Sequence, residues 1–81
     1  MVHNHFLSID FINSRKYFKL AADQAYKEAQ YNYAAMFYNG NGGPVDFITA
    51  RAYCKLSLDQ GYEKARSMYN YLLYNPYLHL Y

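Results

Sequence analysis

The stretch Asp10–Gln24, DFINSRKYFKLAADQ, decides the fold because the chain contains it twice. It returns 36 residues later as Asp46–Gln60, DFITARAYCKLSLDQ, and the likeness continues without a gap as far as Asn39 and Asn75. Of the 30 aligned positions, 14 are identical. A fixed period of this size is typical of repeat arrays, whose units bury their apolar faces against one another. The sequence therefore predicts two similar units in tandem.

Each copy contains start and stop signals of a pair of helices. Asp10 and Asp46 are suitable N-cap residues, because a carboxylate accepts hydrogen bonds from the amides of a first helical turn. Gly40–Pro44 ends the second helix and lacks the strand and the Lys-Ser/Thr of a phosphate-binding loop, so it is predicted to be a turn. The fold class is thus all-α. Four helices are expected, at about residues 11–24, 27–39, 47–60 and 62–73.

The turn between the helices of a pair differs between the copies. Gly61 suits a left-handed helix terminus. Ala25 stands at the same place in the first copy and would cost about 1 kcal/mol if its φ is positive.

The first helix divides into faces when 100° is assigned to each residue. One face is apolar or small, and Tyr17 with Leu20 forms a second apolar flank, as a helix packed on two sides would need. The first face contains Phe11, Ser14, Phe18, Ala21, Ala22 and Ala25. In the second helix, one face is expected to be buried (Ala29, Tyr33, Met36 and Phe37) and another to look outward (Lys27, Tyr31 and Tyr38).

A third strip of the first helix is not needed for packing and recurs in the second copy. We predict that it binds a partner, since two parallel helices would present lysines, aspartates and isoleucines side by side. The strip consists of Ile12, Lys16, Lys19 and Asp23, with Ile48, Lys55 and Asp59 as the equivalents in the second copy.

Several segments together resemble the Sel-one-like repeat, a family pattern that reads roughly WYKKAAEQG, AEAQYNLG, MYxxGxGV and xxDxxKA. The segments are Tyr17–Gln24 (YFKLAADQ), Glu28–Asn32 (EAQYN), Met36–Gly42 (MFYNGNG), and Asp46-Phe47 with Ala50. The resemblance covers about residues 10–75. It implies a tetratricopeptide-like (TPR-like) α/α solenoid of two helix-turn-helix repeats, in which the first helix of each pair lines a concave surface.

The resemblance also implies a function, because proteins of this family are mostly adaptors that assemble protein or peptide partners. The chain is accordingly expected to be a non-catalytic interaction module. The alternative is a fragment or oligomerising piece of a longer array, attached to a kinase or other signalling domain. Self-association would then use the apolar ends Phe6-Leu7 and Leu78–Tyr81. The expected divisions are an extended lead-in (1–9), repeat 1 (10–45), a truncated repeat 2 (46–75) and an apolar tail (76–81).

Other function classes lack their sequence signals. Net charge is only +2 and no basic run occurs, so nucleic acid is not an expected partner. No convergent catalytic group is found, and neither an enzyme nor a cofactor is expected. His3 and His5 are too few for a metal site, and His79 is alone in the tail. The single Cys54 is expected to be a small buried hydrophobe.

The sequence also lacks targeting signals. The first residues show no basic region followed by an apolar run and a cleavage site, so no signal peptide is expected. No stretch approaches 18 consecutive apolar residues, and a membrane partner is not expected. A cytoplasmic location is therefore predicted, with an exported effector as the alternative.

Overall fold

The computed structural model describes residues 9–74 of the chain. Within this range it contains four α-helices and one short 3-10 helix, with no β-strand. The α-helices are α1 (Ile9–Asp23), α2 (Lys27–Asn39), α3 (Phe47–Asp59) and α4 (Arg66–Tyr74), and the 3-10 helix is Glu63–Ala65. The all-α prediction is confirmed for this part of the chain.

Several predictions concern residues beyond that range. The lead-in lies outside the described residues except for Ile9, which already belongs to α1. The others are the histidines His3, His5 and His79, the apolar ends Phe6-Leu7 and Leu78–Tyr81, and the tail 76–81.

The helix starts agree with the prediction at Asp46 but not at Asp10. The Asp46 carboxylate accepts a hydrogen bond from the Thr49 amide at 3.1 Å and another from the Thr49 hydroxyl at 2.7 Å. It therefore caps α3, and these bonds lower its pKa. The expected cap at Asp10 is wrong, because α1 already begins at Ile9. Asp10 lies in the first turn, where its negative charge interacts favourably with the helix dipole.

The fourth helix begins later than expected. Residues 63–65 form a 3-10 turn, and regular α-helix starts only at Arg66. Tyr62 precedes this turn and its side chain makes no capping hydrogen bond. The first turn closes instead with a tight bond from the Ala65 amide to the Tyr62 carbonyl, 3.0 Å long. Such tightening is common where a helix terminus has no side-chain cap.

The two inter-helix turns have the same hydrogen-bond pattern. After α1, the Tyr26 and Ala25 amides bind the carbonyls of Ala21 and Ala22 at 3.3 and 2.9 Å. This crossed pair of bonds is a Schellman motif, which needs a left-handed residue. Ala25 indeed has φ 68°, and Gly61 has φ 85° in the equivalent turn after α3. Because its φ is positive, Ala25 has the backbone strain expected for that conformation.

Two small cores hold the helices together. The first joins α1 and α2 through Ala21, Ala22, Ala29 and Tyr33, and the second joins α2, α3 and the 3-10 helix through Ala34, Cys54 and Ala65. Because alanine dominates both, the helix backbones approach closely. Tyr53 packs against both cores. Cys54 is fully buried, as predicted.

The predicted faces hold for the buried side of α2 and for the part of the first α1 face that contains Ala21 and Ala22, and they fail at the residues that follow. Tyr17 and Leu20 were expected to pack, but each is 66% exposed because no described helix covers that side of α1. Ala25 is exposed as well. Conversely, Tyr31 and Tyr38 were expected to look outward. They are covered because their rings pack against Tyr62 and Phe47 of the second helix pair.

Candidate functional site

The predicted strip lies on α1 and α3. Its members are exposed except for Ile12, which is half-buried. In both helices, the lysine forms an ion pair with the aspartate four residues later. The N–O distances are 2.7 Å for Lys19–Asp23 and 2.9 Å for Lys55–Asp59. Such exposed pairs contribute little stability, so their main effect is to fix where the surface charge lies.

The ion pairs determine which charges the strip offers to a partner. The hydrogen bond from Lys19 lowers the pKa of Asp23, and the same bond raises the pKa of Lys19. Asp59 likewise raises the pKa of Lys55. Both lysines are thus charged at neutral pH, with a carboxylate beside each. Lys16 makes no hydrogen bond or ion pair within residues 9–74, so it is the uncompensated cation of the strip.

Asp23 also connects the two halves of the strip. Its Oδ2 faces Lys19, while its Oδ1 accepts a hydrogen bond from the Tyr53 hydroxyl on α3 at 3.1 Å. Burial raises the pKa of Tyr53, and the bond to Asp23 raises it further. The Tyr53 ring in turn lies edge-on to Tyr33, with 4.7 Å between ring centres. This chain of contacts fixes α1 and α3 relative to one another on the side that carries the strip.

Three strip residues meet at one cavity. Ile12, Lys16 and Lys19 line a cavity of about 230 Å³. Arg15, Tyr33 and Gly42 complete its wall. An apolar floor beside ammonium groups suits a ligand that carries a carboxylate next to an apolar group.

The wall of this cavity is fixed by Arg15. Its Nε donates to the Asn41 carbonyl at 3.0 Å, and its Nη2 donates to the carbonyls of Met36 at 3.1 Å and Pro44 at 3.4 Å. The guanidinium also lies 4.0 Å from the centre of the Phe37 ring. Burial lowers the pKa of Arg15. Arg15 therefore attaches α1 to the end of α2 and to the following loop.

A second cavity is lined by other residues of the same loop. It has a volume of about 630 Å³, and its lining is mostly apolar. Its wall contains Phe37, Pro44, Val45, Asp46, Phe47 and the strip residue Ile48. Val45 and Ile48 are exposed, so an apolar side chain of a ligand could reach them. Loop 40–45 thus contributes to the walls of both a cationic cavity and an apolar one.

The strip is therefore only partly a single site. Ile12, Lys16 and Lys19 converge, Ile48 belongs to the second cavity, and Asp23, Lys55 and Asp59 line neither. Sequence reasoning missed Arg15 and Val45 as cavity residues. The identity of Arg15 with Arg51 in the other copy was an available signal for Arg15. Nothing in the period pointed to Val45, since the loop has no counterpart within the aligned 30 positions.

The remaining reactive groups offer no second site. Burial raises the pKa of the Cys54 thiol to about 11, and the side chain is enclosed. In the described part of the chain, no three His, Cys, Asp or Glu side chains are grouped in a way that could hold a metal ion. None of the helices between residues 9 and 74 combines the length and apolar content that a bilayer crossing requires.

Comparison of the chain with protein-family models, with curated proteins and with solved structures gave no match. The resemblance to the Sel-one-like repeat consequently stays a prediction from the motifs of the sequence.

Proposed function

We propose that this chain is a non-catalytic adaptor module that binds a protein partner through an extended peptide segment. It is built as an α/α solenoid of two TPR-like hairpins of the Sel-one-like type, α1–α2 and α3–α4. The peptide carries an acidic residue followed closely by an apolar one. The observation that carries the proposal is the cavity in which Lys16 and Lys19 stand over Ile12 and Tyr33.

The arrangement of the helices supports the solenoid part of the proposal. α1 packs on α2 and α3 packs on α4 within the two pairs. α2 also packs on α3, so the second pair continues the first. The turns at Ala25 and Gly61 share one hydrogen-bond pattern. Stacked pairs of this kind create extended binding surfaces along the first helix of each pair.

The chemistry of the two cavities supports the peptide part. A carboxylate entering the smaller cavity meets Lys16, which has no partner among residues 9–74. A neighbouring apolar side chain reaches the wall formed by Val45 and Ile48 across loop 40–45. Such pockets give an extended peptide its side-chain specificity.

Selection from a displayed library of short random peptides tests the proposal. The wild-type chain is expected to enrich peptides with Asp or Glu beside an apolar residue, and the enrichment should weaken as salt rises. The double charge reversal Lys16→Glu and Lys19→Glu should switch the preference to Lys and Arg. Lys64→Glu is the matched control, since Lys64 lies on the 3-10 helix away from both cavities. Selection of the same peptides by the reversed and wild-type chains would exclude this site.

A further inference from the structure

Equivalent residues of α1 and α3 differ in whether another helix covers them. Tyr17 and Tyr26 are 66% and 59% exposed, whereas their counterparts Tyr53 and Tyr62 are partly buried. We name the set at the α1 end the outer face of α1. It comprises the exposed Tyr17, Gln24 and Tyr26 together with Phe18, which is half-buried because it also packs against the first core. The counterparts in the second copy are Tyr53, Cys54, Gln60 and Tyr62.

The counterparts on α3 form the interface between the two helix pairs. Tyr53 donates to Asp23, as described for the strip. Gln60 donates to the Ala25 carbonyl and to the Gln30 side chain, both at 2.9 Å. Tyr62 packs on Tyr31 with 5.7 Å between ring centres. These contacts all reach the end of α1 or the first turns of α2.

The outer face of α1 carries the same groups without such contacts. Tyr17 and Gln24 are the same residue types as Tyr53 and Gln60, and Tyr26 repeats Tyr62. Among residues 9–74, the side-chain amide of Gln24 donates only to the Leu20 carbonyl on α1, at 3.3 Å. We propose that this face docks the second helix of a helical hairpin from a partner chain, in the way that α3 docks on α2.

The residue opposite Phe18 defines the partner further. In the internal interface, Cys54 packs in one core with the fully buried Ala34 of α2. Phe18 is much larger than Cys54, so the docking helix needs a small residue there. It also needs an acceptor for the Gln24 amide, an aromatic side chain for Tyr26, and a carboxylate at the end of the preceding helix for Tyr17.

Residues 9–74 of a second copy of this chain do not offer such a face. The suitable face of α2 is already covered by α3. On α4, Arg66, Ser67 and Asn70 replace Gln30, Tyr31 and Ala34 and are exposed. Burial of these polar groups against Phe18 would cost their hydration without replacing it. Tyr69 does repeat Tyr33, so the exclusion depends on those three substitutions.

The polar face of α4 resembles the solvated end that stops a repeat array, whereas the aromatic face of α1 does not. The ion pair from Arg66 to Glu63, with an N–O distance of 2.6 Å, adds to this polar surface. At these positions the two ends of the described helix stack are therefore unlike, with aromatic residues at the α1 end and polar residues at the α4 end.

The test converts the α4 face into a face of the α2 type. The receptor variant carries Arg66→Gln, Ser67→Tyr and Asn70→Ala, together with Tyr17→Glu, which removes its own docking face. Wild-type chain mixed with this receptor is expected to form a 1:1 complex in sedimentation velocity. Wild-type chain alone is expected to stay monomeric. Changing Tyr17 to Ala in the wild-type partner should weaken the complex about tenfold or more, as for an interface tyrosine.

Leu20→Ala in the wild-type partner is the matched control. Leu20 is as exposed as Tyr17, but its counterpart Leu56 is exposed too, so binding should not change. Charge reversal of Lys16 should also leave the complex intact, which separates this face from the proposed peptide site. Circular dichroism establishes that each variant folds, and a receptor with Asn70→Ala and Tyr17→Glu alone serves if the full set does not. Two results would overturn the proposal: no complex with a folded receptor, or Tyr17-dependent self-association of the wild type, which would make a second copy the occupant.

Discussion

At the scale of single residues, the two copies differ most informatively at Ala25 and Gly61. They occupy one position of the repeat and both have positive φ, at 68° and 85°. A side chain in that conformation costs about 1–2 kcal/mol, whereas glycine costs about 0.4–1 kcal/mol through the unfolded state. The strain is the larger effect, so alanine is the worse residue at this site.

We therefore expect Ala25→Gly to raise the free energy of unfolding by about 0.5–1 kcal/mol. Gly61→Ala should lower it by a similar amount. No atom lies within 4 Å of the Cβ position at Gly61, so the effect there reports backbone strain without a clash. Urea unfolding followed by circular dichroism measures both. Changes of the same sign in the two variants would contradict the conclusion that positive φ strains alanine at this position.

The buried thiol of Cys54 makes stability depend on alkaline pH. The native state keeps the thiol proton up to about pH 11, whereas an unperturbed thiol loses it near 9.0. Between these values the unfolded chain binds fewer protons, so stability falls as pH rises, by about 1 kcal/mol per pH unit. Cys54→Ala should show a smaller slope between these pH values, because the tyrosine background is common to both chains. Equal slopes in chemical denaturation would show that the thiol is not protected.

At the scale of elements, a single side chain attaches α1 to the end of α2. Arg15 donates to three carbonyls that follow or end α2, and it covers the Phe37 ring. The end of a helix favours positive charge, and the planar guanidinium can satisfy several acceptors at once. Gly42 allows loop 40–45 to come close, since a Cβ there would lie 2.5 Å from the Phe11 carbonyl oxygen.

Arg15→Lys is expected to destabilise the protein by about 1–3 kcal/mol, because an ammonium group cannot reach three acceptors in this fork. The neighbouring exposed Lys16→Ala should change stability by less than about 0.5 kcal/mol. Thermal and urea unfolding would establish the difference. Similar effects from both substitutions would show that the fork is dispensable.

At the scale of the whole molecule, the two helix pairs are coupled through hydrogen bonds that are part-buried or exposed. The Ser57 hydroxyl donates to the Lys27 carbonyl at 2.7 Å, and Gln60 reaches both Gln30 and the Ala25 turn. Gln30 is itself buried and donates to the Ala22 carbonyl at 3.2 Å. These bonds connect the end of α3 to the turn of the first pair.

Ser57→Ala is expected to lower the free energy of unfolding by about 1–2 kcal/mol while a single unfolding transition remains. The denaturant midpoint should fall without a change of slope. Ser67→Ala is the control, because Ser67 is exposed on α4 and should have no effect. Separate transitions in helix content and in tyrosine fluorescence would instead indicate that the two pairs unfold independently.

The period and its punctuation were enough to predict four helices, the cap at Asp46 and the buried side of α2. They could not predict that Tyr31 and Tyr38 are covered, because the pattern of apolar residues in α2 does not show that the second helix pair packs against it. The delayed start of α4 could not be predicted either, because Tyr26 and Tyr62 both lack a side-chain cap and yet α2 begins directly after Tyr26. The cavity depends on the approach of loop 40–45 to Arg15, a contact between residues 26 positions apart.

The second core contains Ala34 from α2 together with Cys54 and Ala65 from the following copy. The smallest segment that includes this core thus runs from α2 of the first copy to the 3-10 helix of the second copy. An insertion of one full period of 36 residues keeps a second helix in front of every following first helix, wherever the cut falls. An insertion of any other length brings a different helix face against Ala34. Recombination can therefore change the number of repeats only by whole repeats.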